Sequence, residues 1–309
     1  MKDLLVGSTG FVGGNLQQSH HFDAQCHSTN VSEYYGSAPD LCVYAGIPSA
    51  MYLANKNPDA DLDIMRQALI NLRRIAPRQT VLISTIAVYA DSRRKTENDA
   101  ELTPRLAPYG YNRLLLEQWV QKELPNVLIV RLPALYGKGL KKNFLFDLHT
   151  MTPAMLQPEK YEALARLSPL IKAGYTPDPT SGFYKLNGTV DAQELKNWYK
   201  EHSFNALSFT DSRSKYQFYN LARLWDDISL ALDANINCLN LTPPPVSAAE
   251  VYREITGRQD WSNELSTPPF DYDLRSVHAE LLGGNSDGYL CAKQEELAEI
   301  KNFMNNWQK

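Results

Sequence analysis

Three side chains carry the chemistry that this sequence can offer: Thr85, Tyr109 and Arg113. Tyr109 and Arg113 stand four apart in a segment predicted to be helical, so both side chains project from one face. A fixed cation beside a phenol favours the phenolate, and such a phenol exchanges a proton with a substrate hydroxyl while a nicotinamide takes or gives a hydride. Thr85, at the end of the strand-like run Val81-Leu82-Ile83, is placed to hydrogen-bond the same oxygen from the other side.

A second constellation lies at the N-terminus. Gly7-Ser8-Thr9-Gly10-Phe11-Val12-Gly13 follows the apolar run Leu4-Leu5-Val6 and leads into a helical segment from Phe11 to Gln18. A strand, a glycine turn and a helix in that order present backbone N–H groups and a helix N-terminus to a pyrophosphate. Gly7 permits the tight turn, Gly10 lets the backbone approach the phosphates, and Gly13 lets the helix lie close on the strand. The next strand, Ala24 to His27, ends in Cys26-His27-Ser28-Thr29-Asn30. Ser28 and Asn30 stand where an acid would hold an adenosine ribose and favour NAD, and no nearby arginine selects a 2′-phosphate; the cofactor is therefore read as NAD(P).

The elements that must position these residues alternate strand and helix, the pattern of βαβ units on a parallel sheet. Leu41 to Ala45 is a third strand, and Met65, Ala68, Leu69, Leu72, Ile75 and Ala76 recur at helical spacing before Pro77. Then come the strand Val81–Ile83, a helix from Pro108 to about Lys122 and a strand from Val127 to Arg131. From Gly139 to Lys215 the chain turns richer in Pro, Gly and polar residues, with helical pieces at 159–173 and 191–202 and no clear alternation. Phe218 to Leu232 reads as a strand running into a helix, and Cys238 to Leu241 as a last parallel strand. Ser247 and Glu250 form a capping box for a helix ending at Gly257.

Composition narrows the classes. The 309 residues are 43% hydrophobic and 21% charged, enough for one large core or a core with a smaller lobe. A net charge of −4 gives no electrostatic footprint for nucleic acid. Cys26, Cys42, Cys238 and Cys291 form no CxxC pair, the histidines have no ligand spacing, and no long apolar span occurs; a cytoplasmic protein without a metal site or membrane span is expected.

With these motifs in place, the chain resembles the extended short-chain dehydrogenases/reductases of the NAD-dependent epimerase/dehydratase family. The resemblance is carried by the GxxGxxG turn, by Ala45-Gly46 after the third strand, and by Ser84-Thr85-Ile86-Ala87-Val88-Tyr89, which is similar to S-[ST]-x-x-V-Y. Glu97, Pro104, Tyr109-Gly110-Tyr111-Asn112-Arg113 and Glu117 resemble E…P…YGxSKxxxE, and Arg131 to Gly137 resembles the strand that ends in Tyr-Gly. It covers residues 1–138 well and the rest loosely.

The resemblance implies a Rossmann-type doubly wound parallel sheet with a smaller, mostly helical C-terminal substrate lobe. The NAD(P)-binding domain would span 1–138, completed by about 216–245, and the substrate lobe 139–215 and 246–309. It implies Tyr109 as acid/base with Thr85 and Arg113 beside it. Gly7, Thr9, Gly10, Phe11, Val12, Gly13, Ser28, Asn30, Ala45, Gly46, Tyr109, Arg113 and Pro133 would line the cofactor, a nucleotide sugar would be the substrate, and a homodimer would form through the two long helices. Arg113 replaces the family's lysine, Met65 stands for an asparagine, Ala134 for another, and Tyr216 for a diphosphate-binding arginine, with Arg213 and Lys215 close by. The reading is an NAD(P)-dependent oxidoreductase, epimerase or dehydratase, the alternative a non-catalytic NAD(P)-binding regulatory protein.

Overall fold

The apolar runs assemble as the alternation predicts. The computed structural model describes residues 1–307. In it β1 (Asp3–Val6), β2 (Ala24–Cys26), β3 (Leu41–Tyr44), β4 (Gln79–Thr85), β5 (Val127–Leu132) and the strand Cys238–Asn240 form one six-stranded sheet. The order across it is β2-β1-β3-β4-β5-(Cys238–Asn240), with every pairing parallel. These strands read as near-continuous apolar runs because both faces are covered. Leu5, Val43, Val81, Leu128 and Val130 face one core, which holds Leu16 of α1 (Phe11–Ser19) and Leu224, Ile228 and Ala231 of the helix Leu224–Asp233. Their neighbours Leu4, Val6, Cys42, Tyr44, Leu82 and Ile129 face the other.

A short helix, α2 (Met51–Lys56), precedes the long one. The second core holds Met65, Ala68, Leu72 and Ile75 of α3 (Pro58–Ile75) and Leu116 and Val120 of α4 (Pro108–Glu123). Asn57 caps α3, Pro58 opens it, and Ala76 in the left-handed region closes it before Pro77. Met65 is fully buried, a core residue.

The chain divides into two compact units. The larger comprises Met1–Leu140, Lys215–Val246 and the described residues from Asp271 onward. This C-terminal stretch, which the sequence reading gives to the smaller lobe, is fastened here by Gln217: its Nε2 donates to the carbonyls of Pro243 (2.6 Å) and Leu274 (2.8 Å), and Leu274 N–H donates back to its Oε1. The helix Lys293–Asn305 adds Glu299 to the hydroxyl of Tyr136 at 3.1 Å.

The smaller unit comprises Lys141–Ser214 and Ser247–Phe270. Its helices are Phe144–Thr150, Pro158–Ala165, Pro169–Gly174, Ala192–Lys200 and Ala248–Thr256. The helical piece read over 159–173 is split because Pro169 starts a new helix, with Ser168 as its cap. It also holds a three-stranded antiparallel sheet, with Phe183–Leu186 between Met155–Leu156 and Tyr175–Asp178. Leu156, Leu164, Ile171, Tyr175, Leu195 and Tyr199 make its core.

Candidate functional site

The strand order changes direction at β1: the chain passes to β2 on one side and returns to β3 on the other. Ligands of open α/β sheets bind in the crevice at the carboxyl ends of such strands. The glycine turn occupies that place. Gly7 has φ +92°, and a Cβ there would lie 2.5 Å from the carbonyl carbon and oxygen of Ala45. A Cβ on Gly13 would lie 2.2 Å from the Gly7 carbonyl oxygen, so α1 can sit on the turn only with glycine at both positions.

Two bonds to the Cys26 carbonyl, from the N–H groups of Gly7 and Ser8, tie the turn to β2. Thr9 and Gly10 are exposed, and Gly10 begins α1 without a side-chain cap or an acidic residue in the first turn. The N–H groups of Phe11, Val12 and Gly13 thus have no acceptor among the described residues, as an anion site requires. Asn15 holds this turn from behind, its Nδ2 donating to the Phe11 carbonyl (2.8 Å) and the Lys138 carbonyl (3.0 Å). Ser28 is exposed in the turn after β2, and Asn30 Oδ1 accepts from His27 N–H.

Thr85 ends β4 and caps the short turn Ile86–Val88, its Oγ1 accepting from Ala87 N–H at 3.2 Å. Its hydroxyl proton remains available to a further acceptor. The first turn of α4 rests directly on this turn: a Cβ on Gly110 would lie 1.9 Å from the Ala87 carbonyl oxygen. That contact brings Tyr109 to the same edge as Thr85. Tyr109 is 7% exposed, its N–H donates to Asn55 Oδ1 (2.9 Å), and its hydroxyl bonds no described residue.

Arg113 does not reach for the Tyr109 hydroxyl. Its guanidinium lies over the ring, 3.6 Å from the centroid. Its Nη1 donates to Asp61 Oδ2 (2.6 Å) and to the Tyr109 carbonyl (3.1 Å), and its Nη2 to the Pro48 carbonyl (2.8 Å). Asp61 also accepts from Asn112 Nδ2 at 2.9 Å, and Asp61 and Arg113 are both buried.

The other motif residues form a separate buried network. Arg131 makes a forked pair with Glu117, which also accepts from Ser84 Oγ. Arg131 Nη1 donates to the Tyr89 hydroxyl at 2.7 Å, and that hydroxyl donates to Asn240 Oδ1 at 2.9 Å. Glu97 accepts from the N–H groups of Asn240 and Val277 and from Ser276 Oγ. Burial pushes the Tyr89 phenol well above its ordinary range, against the pull of Arg131 and Asn240, and its hydroxyl is engaged by both residues.

The family model described as the RmlD substrate binding domain matches residues 1–160, over half of the chain. The chain belongs to this family. No curated protein sequence matches it. Among solved structures, a dTDP-4-dehydrorhamnose reductase of Clostridium acetobutylicum is similar over 100% of both chains, with 15% identity and a TM-score of 0.62. The dTDP-4-dehydrorhamnose reductase of Bacillus anthracis, in complex with NADP, is similar over 99% of each chain, with 16% identity and a TM-score of 0.63. The UDP-glucose 4-epimerase of Thermotoga maritima, solved with UDP-glucose, is similar over 99% of each chain, with 11% identity and a TM-score of 0.60. Likeness at these identities is likeness of fold.

Within this family member, the two cations nearest Tyr216 in sequence are already paired. In the smaller unit Arg213 forks onto Asp211 (3.0 and 2.8 Å) and reaches Glu264; in the larger, Lys215 pairs with Asp271 at 3.2 Å. Ala45, Gly46 and Pro133 follow the carboxyl ends of β3 and β5, where the resemblance puts them. Sequence reading missed Asp61, Asn55 and Asn15, and named Gly110 without giving it a role. Only Gly110, inside the tyrosine motif, carried a local signal. No described group of three or more His, Cys, Asp or Glu is placed to hold a metal ion, and no described helix is long and apolar enough to cross a membrane.

Proposed function

We propose that this chain is an NAD(P)-dependent enzyme that moves a hydride to or from a carbon of a nucleotide-diphosphate sugar, or of a related hydroxy or keto substrate. The observation that carries the reading is the uncapped N-terminus of α1 on the Gly7–Gly13 turn, at the switch point of the sheet in a member of this family. The turn fits a dinucleotide: the exposed Thr9 and Gly10 leave the first-turn N–H groups of Phe11, Val12 and Gly13 open to a pyrophosphate. Ser28 and Asn30 would flank the adenosine end, without charge to choose between NAD and NADP, and Ala45, Gly46 and Pro133 would line the cleft toward the reacting end.

NAD(P), when bound, supplies the hydride donor or acceptor. Tyr109, whose hydroxyl bonds no described residue, exchanges the proton with the substrate oxygen. Thr85, its oxygen held by Ala87 N–H, donates its hydroxyl proton to that same oxygen and orients it. Arg113 holds the ring of Tyr109 from its face. The reductases of Clostridium acetobutylicum and Bacillus anthracis support reduction of a keto sugar, and the Thermotoga maritima UDP-glucose 4-epimerase supports a nucleotide sugar as the substrate class.

A second reading, a non-catalytic NAD(P)-binding regulatory protein, is favoured by one observation: both terminal nitrogens of Arg113 are engaged by protein acceptors, Asp61 and the carbonyls of Pro48 and Tyr109. Single-turnover hydride transfer separates the readings. Reduced-nicotinamide absorbance should fall when NADPH- or NADH-loaded protein meets a panel of UDP-, dTDP-, GDP- and CDP-linked keto sugars. Silence across the panel with cofactor bound contradicts the enzyme and supports the regulatory protein.

We further infer a cytoplasmic homodimer. The outward faces of α3 and α4 leave Ile64, Ile70 and Tyr111 exposed, whereas Leu72 and Leu116 are spent on the interior. A self-complementary two-fold contact would cover them. Light scattering at micromolar concentration should give twice the chain mass; one chain mass contradicts it.

A further inference from the structure

We infer that Asp61 is the positioning residue for Tyr109 and acts through Arg113, as a neutral pair that holds the tyrosine ring by its face. The inference rests on the proposed role of Tyr109 as acid/base. Asp61 lies 52 positions before Arg113 and on a different helix, yet its Oδ2 takes bonds from Arg113 Nη1 (2.6 Å) and Asn112 Nδ2 (2.9 Å). The carboxylate thereby fixes two consecutive residues of the turn that presents Tyr109. Asn112 Nδ2 donates also to the Pro58 carbonyl (3.0 Å), which anchors that turn to the start of α3.

The planar guanidinium is what makes the arrangement possible. It lies flat on the ring while its edge serves Asp61, the Tyr109 carbonyl and the Pro48 carbonyl at once. An ammonium is a compact point charge and cannot stack while bonding in a fork. Arg113 and Asp61 are 4% and 6% exposed, so the cation stays in place only because a carboxylate accompanies it. The ring is held on its face and at its backbone N–H by Asn55, and the hydroxyl is the part left without a partner.

The test is a double-variant cycle in the full chain with Tyr109 carried as fluorotyrosine. Fluorine NMR without cofactor reads the ring, and single-turnover hydride transfer reads the reaction. Asp61→Asn should displace or broaden the fluorine resonance as Arg113→Met does, and the double variant should match Arg113→Met alone. Asp61→Glu should return the resonance toward that of the unmodified chain. Turnover in Asp61→Asn should fall about tenfold to a hundredfold, with KM and cofactor affinity held within about twofold, and the double variant should be no slower than Arg113→Met.

An unmoved resonance in Asp61→Asn, or losses that add in the double variant, overturns the inference. Should Asp61→Asn alone fail to fold, the double variant removes both buried charges together, and a resonance unlike that of Arg113→Met overturns it equally. If no form turns over, the enzyme reading fails while the fluorine cycle still decides the role of Asp61.

Discussion

Helix α4 serves two sites made of the same three residue types. In its second turn Arg113 pairs with Asp61 and covers the ring of Tyr109; one turn later Glu117 pairs with Arg131, which lies 5.2 Å from the ring centroid of Tyr89. Each site is a buried arginine, a buried carboxylate and a buried tyrosine. They differ at the hydroxyl. The Tyr89 hydroxyl donates to Asn240 and accepts from Arg131, whereas the Tyr109 hydroxyl bonds no described residue. On the proposed function, the same chemistry is structural where the phenol is bonded inside the protein and serves the reaction where it is left without a described partner.

The comparison can be broken first at its structural member. Glu117→Gln leaves Arg131 as a buried cation without a carboxylate, so unfolding free energy should fall by about 3–5 kcal/mol. Urea denaturation measures it. A loss under about 1 kcal/mol would show that the pair is screened like a surface bridge, contrary to its burial.

A third carboxyl sharpens the contrast, because no cation among the described residues accompanies it. In the smaller unit, burial pushes Asp147 up to about 7. A carboxyl raised on folding contributes stability that is fully present below its unfolded value and lost as pH rises through the folded one. Asp147→Asn should therefore be more stable than the unmodified chain at about pH 8, with the advantage gone by about pH 4. Thermal melting at both ends checks it; an advantage equal at both would exclude ionisation of Asp147 as its source.

What was legible in the sequence follows this division. Gly7, Gly10 and Gly13 between an apolar run and a helix fixed the turn, and the 3.6-residue stripe from Met65 to Ile75 fixed α3, because both signals are local. The capping box of Ser247 and Glu250 is present with both bonds. Tyr109, Thr85 and Arg113 were legible as types and positions. Their arrangement was not: the guanidinium is turned to the ring face by Asp61, a partner 52 residues away that no spacing rule connects to it. The antiparallel sheet of the smaller unit was missed because its strands are two to four residues long and only Met155–Leu156, Tyr175–Asp178 and Phe183–Leu186 in register reveal it. The C-terminal stretch joined the larger unit through the buried amide of Gln217, whose partners lie 26 and 57 residues on.

The central claim, that the two tyrosines of α4's two sites divide into one that reacts and one that holds, is tested most directly by paired single-turnover hydride transfer. Tyr109→Phe and Tyr89→Phe each remove one hydroxyl and are assayed on the keto sugar that the unmodified chain accepts, with melting recorded alongside. Tyr109→Phe should keep its melting temperature and lose turnover by about two to four orders of magnitude. Tyr89→Phe should melt lower, because Arg131 and Asn240 lose a buried partner, and should keep turnover near normal below its transition. Full turnover in Tyr109→Phe, or equal losses of turnover in both, would contradict the account.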